Sequence, residues 1–119
     1  MIYHITSRRA WREALQRGDY RAEGFEKEGF IHCSTGTQAL PVADQYYPGQ
    51  RGLIVLTIDP ALLTSELKWE PPSGGTPPAG VPVGESFPHV YGPINLNAVV
   101  KILDLGINPD GKHTVPALD

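Results

Sequence analysis

The chain has one cysteine, Cys33, among its 119 residues, so it can form no internal disulfide. A lone thiol fits a reducing compartment. Long apolar runs are also missing. The longest β-prone run, Leu53 to Ile58, is far below the ~20 residues that a membrane helix needs. Met1 leads directly into a strand-like segment, with no basic and apolar leader behind it. The expectation is a cytoplasmic protein that does not enter membranes. A basic excess is absent too. The formal net charge is −3, which speaks against a dedicated nucleic-acid binder. Six of the ten lysines and arginines lie before residue 30, but acidic residues are interleaved with them, as on a solvated helix face. No nucleophile elbow, glycine-rich phosphate loop, His-x-His or cysteine pair occurs.

Hydrophobic residues make up 40% of the chain, enough for a core, and the length allows a single domain over residues 1–119. Ile2 to Ile5 reads as a strand. Thr6 and Ser7 are candidate helix caps. Trp11, Ala14 and Leu15 share one helical face, and Gly18 stops the helix, which spans Arg8 to Arg17. Trp11 is its expected core anchor. Tyr20 to Ala22 reads as a short extended piece, and Glu23 to Glu28 as a loop or single turn. Gly29 opens a strand from Phe30 to Cys33. Leu40, Ala43, Tyr46 and Tyr47 follow helical spacing, with Pro41 in the first turn, where it displaces no intrahelical bond. Leu53 to Ile58 is the best candidate for a central strand, ended by Asp59-Pro60.

Leu67 to Glu70 alternates like a half-buried strand. Nine of the sixteen residues from Pro71 to Ser86 are proline or glycine, so no regular element is expected there. Residues 71–86 are expected to form a mobile surface loop. His89 to Tyr91 resumes strand character, Val99 to Ile107 reads as another strand, and Asn108-Pro109-Asp110-Gly111 fits a type I turn. Beyond it Lys112 to Val115 returns as a hairpin partner, with His113 an ordinary surface histidine. Two helices and six or seven short strands, without regular βαβ alternation, point to an α+β fold.

Three histidines stand inside apolar, β-prone runs: His4 in Ile2 to Thr6, His32 in Glu28 to Thr35, and His89 in Phe87 to Gly92. Imidazoles act as acids, bases, donors or metal ligands near neutral pH. Three strands laid side by side would bring them to one cleft with the hydroxyls of Ser34 and Thr35. Alternation along the strand places His32 and Ser34 on one face and Cys33 on the other, so Cys33 is expected as a small buried hydrophobe rather than a nucleophile. A three-histidine metal site is an alternative, but no ligand spacing supports it, and no metal is expected.

Tyr3-His4-Ile5-Thr6, Glu28-Gly29-Phe30-Ile31-His32-Cys33-Ser34, Leu56-Thr57-Ile58-Asp59-Pro60-Ala61-Leu62, Trp69-Glu70 and the stretch Phe87 to Asn95 together resemble domain-of-unknown-function family 952, from about Ile2 to Leu105. That family is similar in layout to the ADP-ribosyltransferase superfamily, which binds NAD between two small sheets. The resemblance implies an α+β fold of two small packed β-sheets with two helices and one cleft. It implies NAD or a related nucleotide as cofactor, and ADP-ribosyl transfer as the activity. It places His4 on a ribose hydroxyl, followed by Thr6, and gives Phe30 to Ser34 the place of the second strand of the site. With strand placement added, Thr6, Ser34, Thr35 and Tyr91 are the candidate ligand-lining residues, and His32, His89 and Glu70 the candidate acid–base groups. Transferases of that layout often carry a glutamate on the late strand. Phe87 to Ile94 contains none, and Glu70 and Glu85 are the nearest glutamates. A ligand-binding or interaction module without turnover is the second reading.

Overall fold

The computed structural model describes residues 1–118. Its elements follow in order as β1 (Ile2–Ser7), α1 (Arg8–Arg17), β2 (Asp19–Tyr20), α2 (Phe25–Glu28), β3 (Ile31–His32), α3 (Ala39–Tyr46), β4 (Leu53–Ile58), β5 (Glu66–Glu70), β6 (Phe87–Tyr91), β7 (Ile94–Asn95), β8 (Val99–Asp104), β9 (Gly106–Ile107) and β10 (His113–Thr114). Two three-stranded antiparallel sheets dominate, in the orders β1-β4-β8 and β3-β6-β5, and two ribbons, β2-β7 and β9-β10, complete the fold. The α+β class expected from the sequence is the class observed. No helix among the described residues is long and apolar enough to cross a membrane.

Local chemistry accounts for the boundaries. Ser7 caps α1, its Oγ accepting from the Ala10 N–H at 3.0 Å. Gly18 ends the helix in the left-handed region, at φ 103°, where a side chain would be strained. Pro41 falls at the third residue of α3, inside the first turn. Strand β4 is buried along its whole length because both faces of its sheet are covered. On one face Ile54, Leu56 and Ile58 join Ile2, Ala14, Tyr20, Ile31 and Val90; on the other Leu53 and Val55 join Tyr3, Ile5, Ala39, Ala43 and Leu105. That double burial is why the run reads as continuously apolar.

Several expectations need correction. A third helix exists, the four-residue α2, held between Gly24 and Gly29 in the left-handed region. Leu15 does not share the core face of α1 and is 55% exposed, whereas Trp11 packs against the core as expected. The expected strand Val99 to Ile107 breaks at Leu105, which turns into the second core while its N–H donates to the Leu53 carbonyl at 3.0 Å. His113 is buried, not a surface residue. Its Nε2–H donates to the Tyr47 carbonyl at 2.5 Å and its backbone N–H to Asp44.

Residues 31–34 bind the two large sheets together. Ile31 and His32 pair with Val90 and His89 of β6, and the Cys33 N–H donates to the Pro88 carbonyl. One residue later Ser34 and Tyr3 of β1 exchange two backbone bonds of 2.7 and 2.8 Å. Residues 71–86 form no regular element, as expected. Their end is tied to α3 by the fully buried Gln38, whose Nε2 donates to Glu85 at 2.8 Å and to the Ser86 carbonyl at 2.9 Å.

Leu56 has no solvent exposure and lies on the shared core face. Leu56→Ala is expected to lower the unfolding free energy by about 2–5 kcal/mol, measured by urea titration. A loss below ~1 kcal/mol would contradict this account of the core.

Candidate functional site

Where β1 meets the end of β3, a cleft of about 840 Å³ opens. His4 and Thr6 reach it from β1, His32 and Ser34 from the β3 stretch, and Tyr20 from β2. Tyr46 and Tyr47, at the end of α3, form part of the facing wall, and Pro72, Ser73, Gly74 and Pro78 bring the proline–glycine loop to its rim. The size suits a small organic ligand.

His4 is buried, and both ring nitrogens are engaged. Nδ1 lies 2.6 Å from the His32 carbonyl, which can only accept, so Nδ1 carries the proton. Burial lowers the His4 pKa to about 4, against a smaller upward pull from the His32 carbonyl, so the ring is neutral near pH 7. Nε2 is therefore a lone pair, and the Tyr20 hydroxyl, 2.7 Å away, donates to it. The Thr6 hydroxyl stands 2.9 Å from that of Tyr20 and completes the chain. Burial also pushes the Tyr20 phenol up, which keeps it protonated as a donor. The expected contact of His4 with a ligand thus has no free nitrogen to make it. His4 instead anchors the Tyr20 and Thr6 hydroxyls.

His32 is the accessible imidazole of the cleft. Its Nε2–H donates to Glu28 at 2.6 Å, and Glu28 also lines the cleft. Ser34 is buried beside it. Cys33 is buried as expected, and desolvation raises its thiol pKa, which removes it as a nucleophile. Thr35 stands apart. Its N–H donates to the Gln38 side chain at 3.0 Å, so it serves the start of α3 rather than the cleft lining.

His89, Glu70 and Tyr91 form a separate cluster on the sheet β3-β6-β5. His89 Nδ1–H donates to Glu70 Oε1 at 2.8 Å, and the Tyr91 hydroxyl donates to the same oxygen at 2.6 Å. These two bonds, the Tyr91 one first, lower the Glu70 pKa and hold it as a carboxylate, while Glu70 raises the Tyr91 pKa. None of the three lines the cleft. His89 faces His32 across the strand pair, with ring centroids 5.4 Å apart and nearly perpendicular, and Phe30 stacks on His89 at 4.3 Å. So the three histidines are neighbours, but they do not share one cavity. Among the described residues no group of three or more His, Cys, Asp and Glu side chains is placed to hold a metal ion.

Sequence reasoning passed over Tyr20 and Glu28 as site residues. Glu28 had a readable signal, because it stands four residues before His32 across a glycine. Nothing local marks Tyr20. Its hydroxyl meets His4 only because the fold brings two residues sixteen apart in sequence within hydrogen-bonding reach.

The neutral His4 gives a pH prediction. Its folded pKa lies below the ordinary 6.5, so the unfolded chain takes up a proton first as pH falls. Its contribution is full above about pH 6.5 and is lost progressively toward about pH 4, in total on the order of 3 kcal/mol. Urea unfolding between pH 7 and 5 should show this slope in the natural chain and a flatter one in His4→Gln. Equal slopes would contradict the neutral, internally bonded His4.

The crystal structure of CC0527 from Caulobacter crescentus has this fold, with a TM-score of 0.80 and 33% identity over 95% of this chain and 92% of that one. The solution NMR structure of CC0527 agrees, with a TM-score of 0.72 and 34% identity over 97% and 90% of the two chains. No curated protein matches. Residues 5–102 match the family model described as "Protein of unknown function (DUF952)", and with that match the chain belongs to the DUF952 family.

Proposed function

We propose that the cleft binds NAD, or a nucleotide or nucleoside related to it. One observation carries this reading: His4, Thr6, His32 and Ser34, from two separate strands, reach a single cleft of about 840 Å³. The likeness to ADP-ribosyltransferases gives His4, followed by Thr6, to the ribose side of such a cleft, and the Phe30–Ser34 stretch to its wall. In this reading the Ser34 hydroxyl meets the ligand's polar edge together with the Tyr20 and Thr6 hydroxyls, which His4 orients, and His32 meets a ribose hydroxyl. The tyrosines at the end of α3 supply rings for stacking.

Glycosyl transfer from such a ligand would develop positive charge at the anomeric carbon, which a carboxylate stabilises. Glu28 is the better placed carboxylate, since it lines the cleft 2.6 Å from His32. Glu70 is held away by His89 and Tyr91. That occupation of Glu70 supports the second reading, a binding module without turnover. Release of nicotinamide from NAD distinguishes the two.

Thermal-shift titration with NAD, ADP-ribose, nicotinamide and nicotinamide riboside tests the proposal. A ligand of the native state at ~100 times its dissociation constant adds about 2.7 kcal/mol, a readily seen shift. At least one of the four should raise the melting temperature of the natural chain, and His32→Ala should reduce that rise. No shift with any of them, or an equal shift in the variant, would sink the proposal.

A further inference from the structure

The charges around the cleft narrow the class of ligand, on the reading that the cleft is a ligand site. Two carboxylates line it, Glu23 and Glu28, and among its described lining residues there is no lysine and no arginine. Its imidazoles do not redress the balance. His4 is neutral and internally bonded, and the bonded pair of His32 and Glu28 adds no net positive charge to the cleft. The first turn of α1 touches the cleft through Ser7 and Ala10, a place where anions often bind. Here, however, the Ala10 N–H is taken by Ser7 Oγ, and Arg8 is turned to Asp104 on β8.

The aromatic lining points the same way. Tyr46 and Tyr47 stand at the end of α3, and Phe30 follows Glu28. Burial, and after it the charge of Glu23, raises the Tyr47 pKa, so Glu23 acts across the cleft on that ring and the phenol stays neutral. Aromatic faces beside carboxylates attract organic cations, through the ring quadrupole and direct charge pairing. A pyrophosphate would enter the same space with like charge and meet no cationic partner.

We infer that the cleft selects a phosphate-free organic cation, of the N-ribosylated pyridinium class, over phosphorylated nucleotides and dinucleotides. Tyr46, Tyr47 and Phe30 offer ring faces to the pyridinium, and Glu23 and Glu28 offset its charge. The hydroxyls anchored by His4 face the ribose.

Isothermal titration calorimetry on the full chain tests this with nicotinamide riboside, its 5′-phosphate and NAD. The riboside should bind at least about tenfold more tightly than either phosphorylated form. Glu23→Gln and Glu28→Gln, both at exposed positions, should each narrow that ratio. Equal or tighter binding of the 5′-phosphate or of NAD would overturn this inference and leave the ligand reading standing. An undiminished ratio in both variants would overturn the role of the two carboxylates. Absence of binding by all three would remove the pyridinium-nucleoside assignment, and the four-compound thermal-shift series separately decides the broader ligand reading.

Discussion

Everything in the cleft depends on how residues 31–34 are shared between two sheets. Backbone pairing to β6 holds Ile31 and His32, and backbone pairing to Tyr3 holds Ser34. The His4 Nδ1–H bond to the His32 carbonyl adds a side-chain tie at the same junction. The cleft opens beside this junction, with His4, Thr6, His32 and Ser34 in its lining. His4 is neutral because it is buried, and neutrality lets its second nitrogen accept from Tyr20. Stability and site geometry therefore rest on the same few bonds.

The junction also separates two sets of polar groups that the chain places close together. His32 with Glu28 faces the cleft, and His89 with Glu70 and Tyr91 lies on the adjoining sheet. Phe30 stacks on His89 and also borders the cleft, so it stands between them. Each imidazole has a carboxylate of its own, at 2.6 and 2.8 Å. The arrangement leaves the cleft acidic and aromatic rather than basic, which sets the character of any ligand it takes.

Much of this was legible locally. The cap and stop of α1 are written in Ser7 and Gly18, and β4 is marked by six apolar or β-branched residues between a glycine and Asp59-Pro60. The gathering of His4, His32 and Ser34 followed from strand alternation and from likeness to a known layout. What stayed hidden depends on contacts distant in sequence. His113 sits among polar neighbours and looks exposed, yet the hairpin folds it onto the carbonyl of Tyr47, 66 residues away. Glu70 looked available because its two partners, His89 and Tyr91, lie on the next strand. Leu105 looked like a strand residue, and the second core drew it out of line.

The measurement closest to the central claim is a crystal structure of the chain grown with nicotinamide riboside. The account predicts ligand density in the cleft, with the pyridinium ring against Tyr46 or Tyr47 and the ribose within hydrogen-bonding reach of His32 or the Tyr20 hydroxyl. Density instead at the His89–Glu70–Tyr91 cluster, with the cleft holding only water, would contradict it.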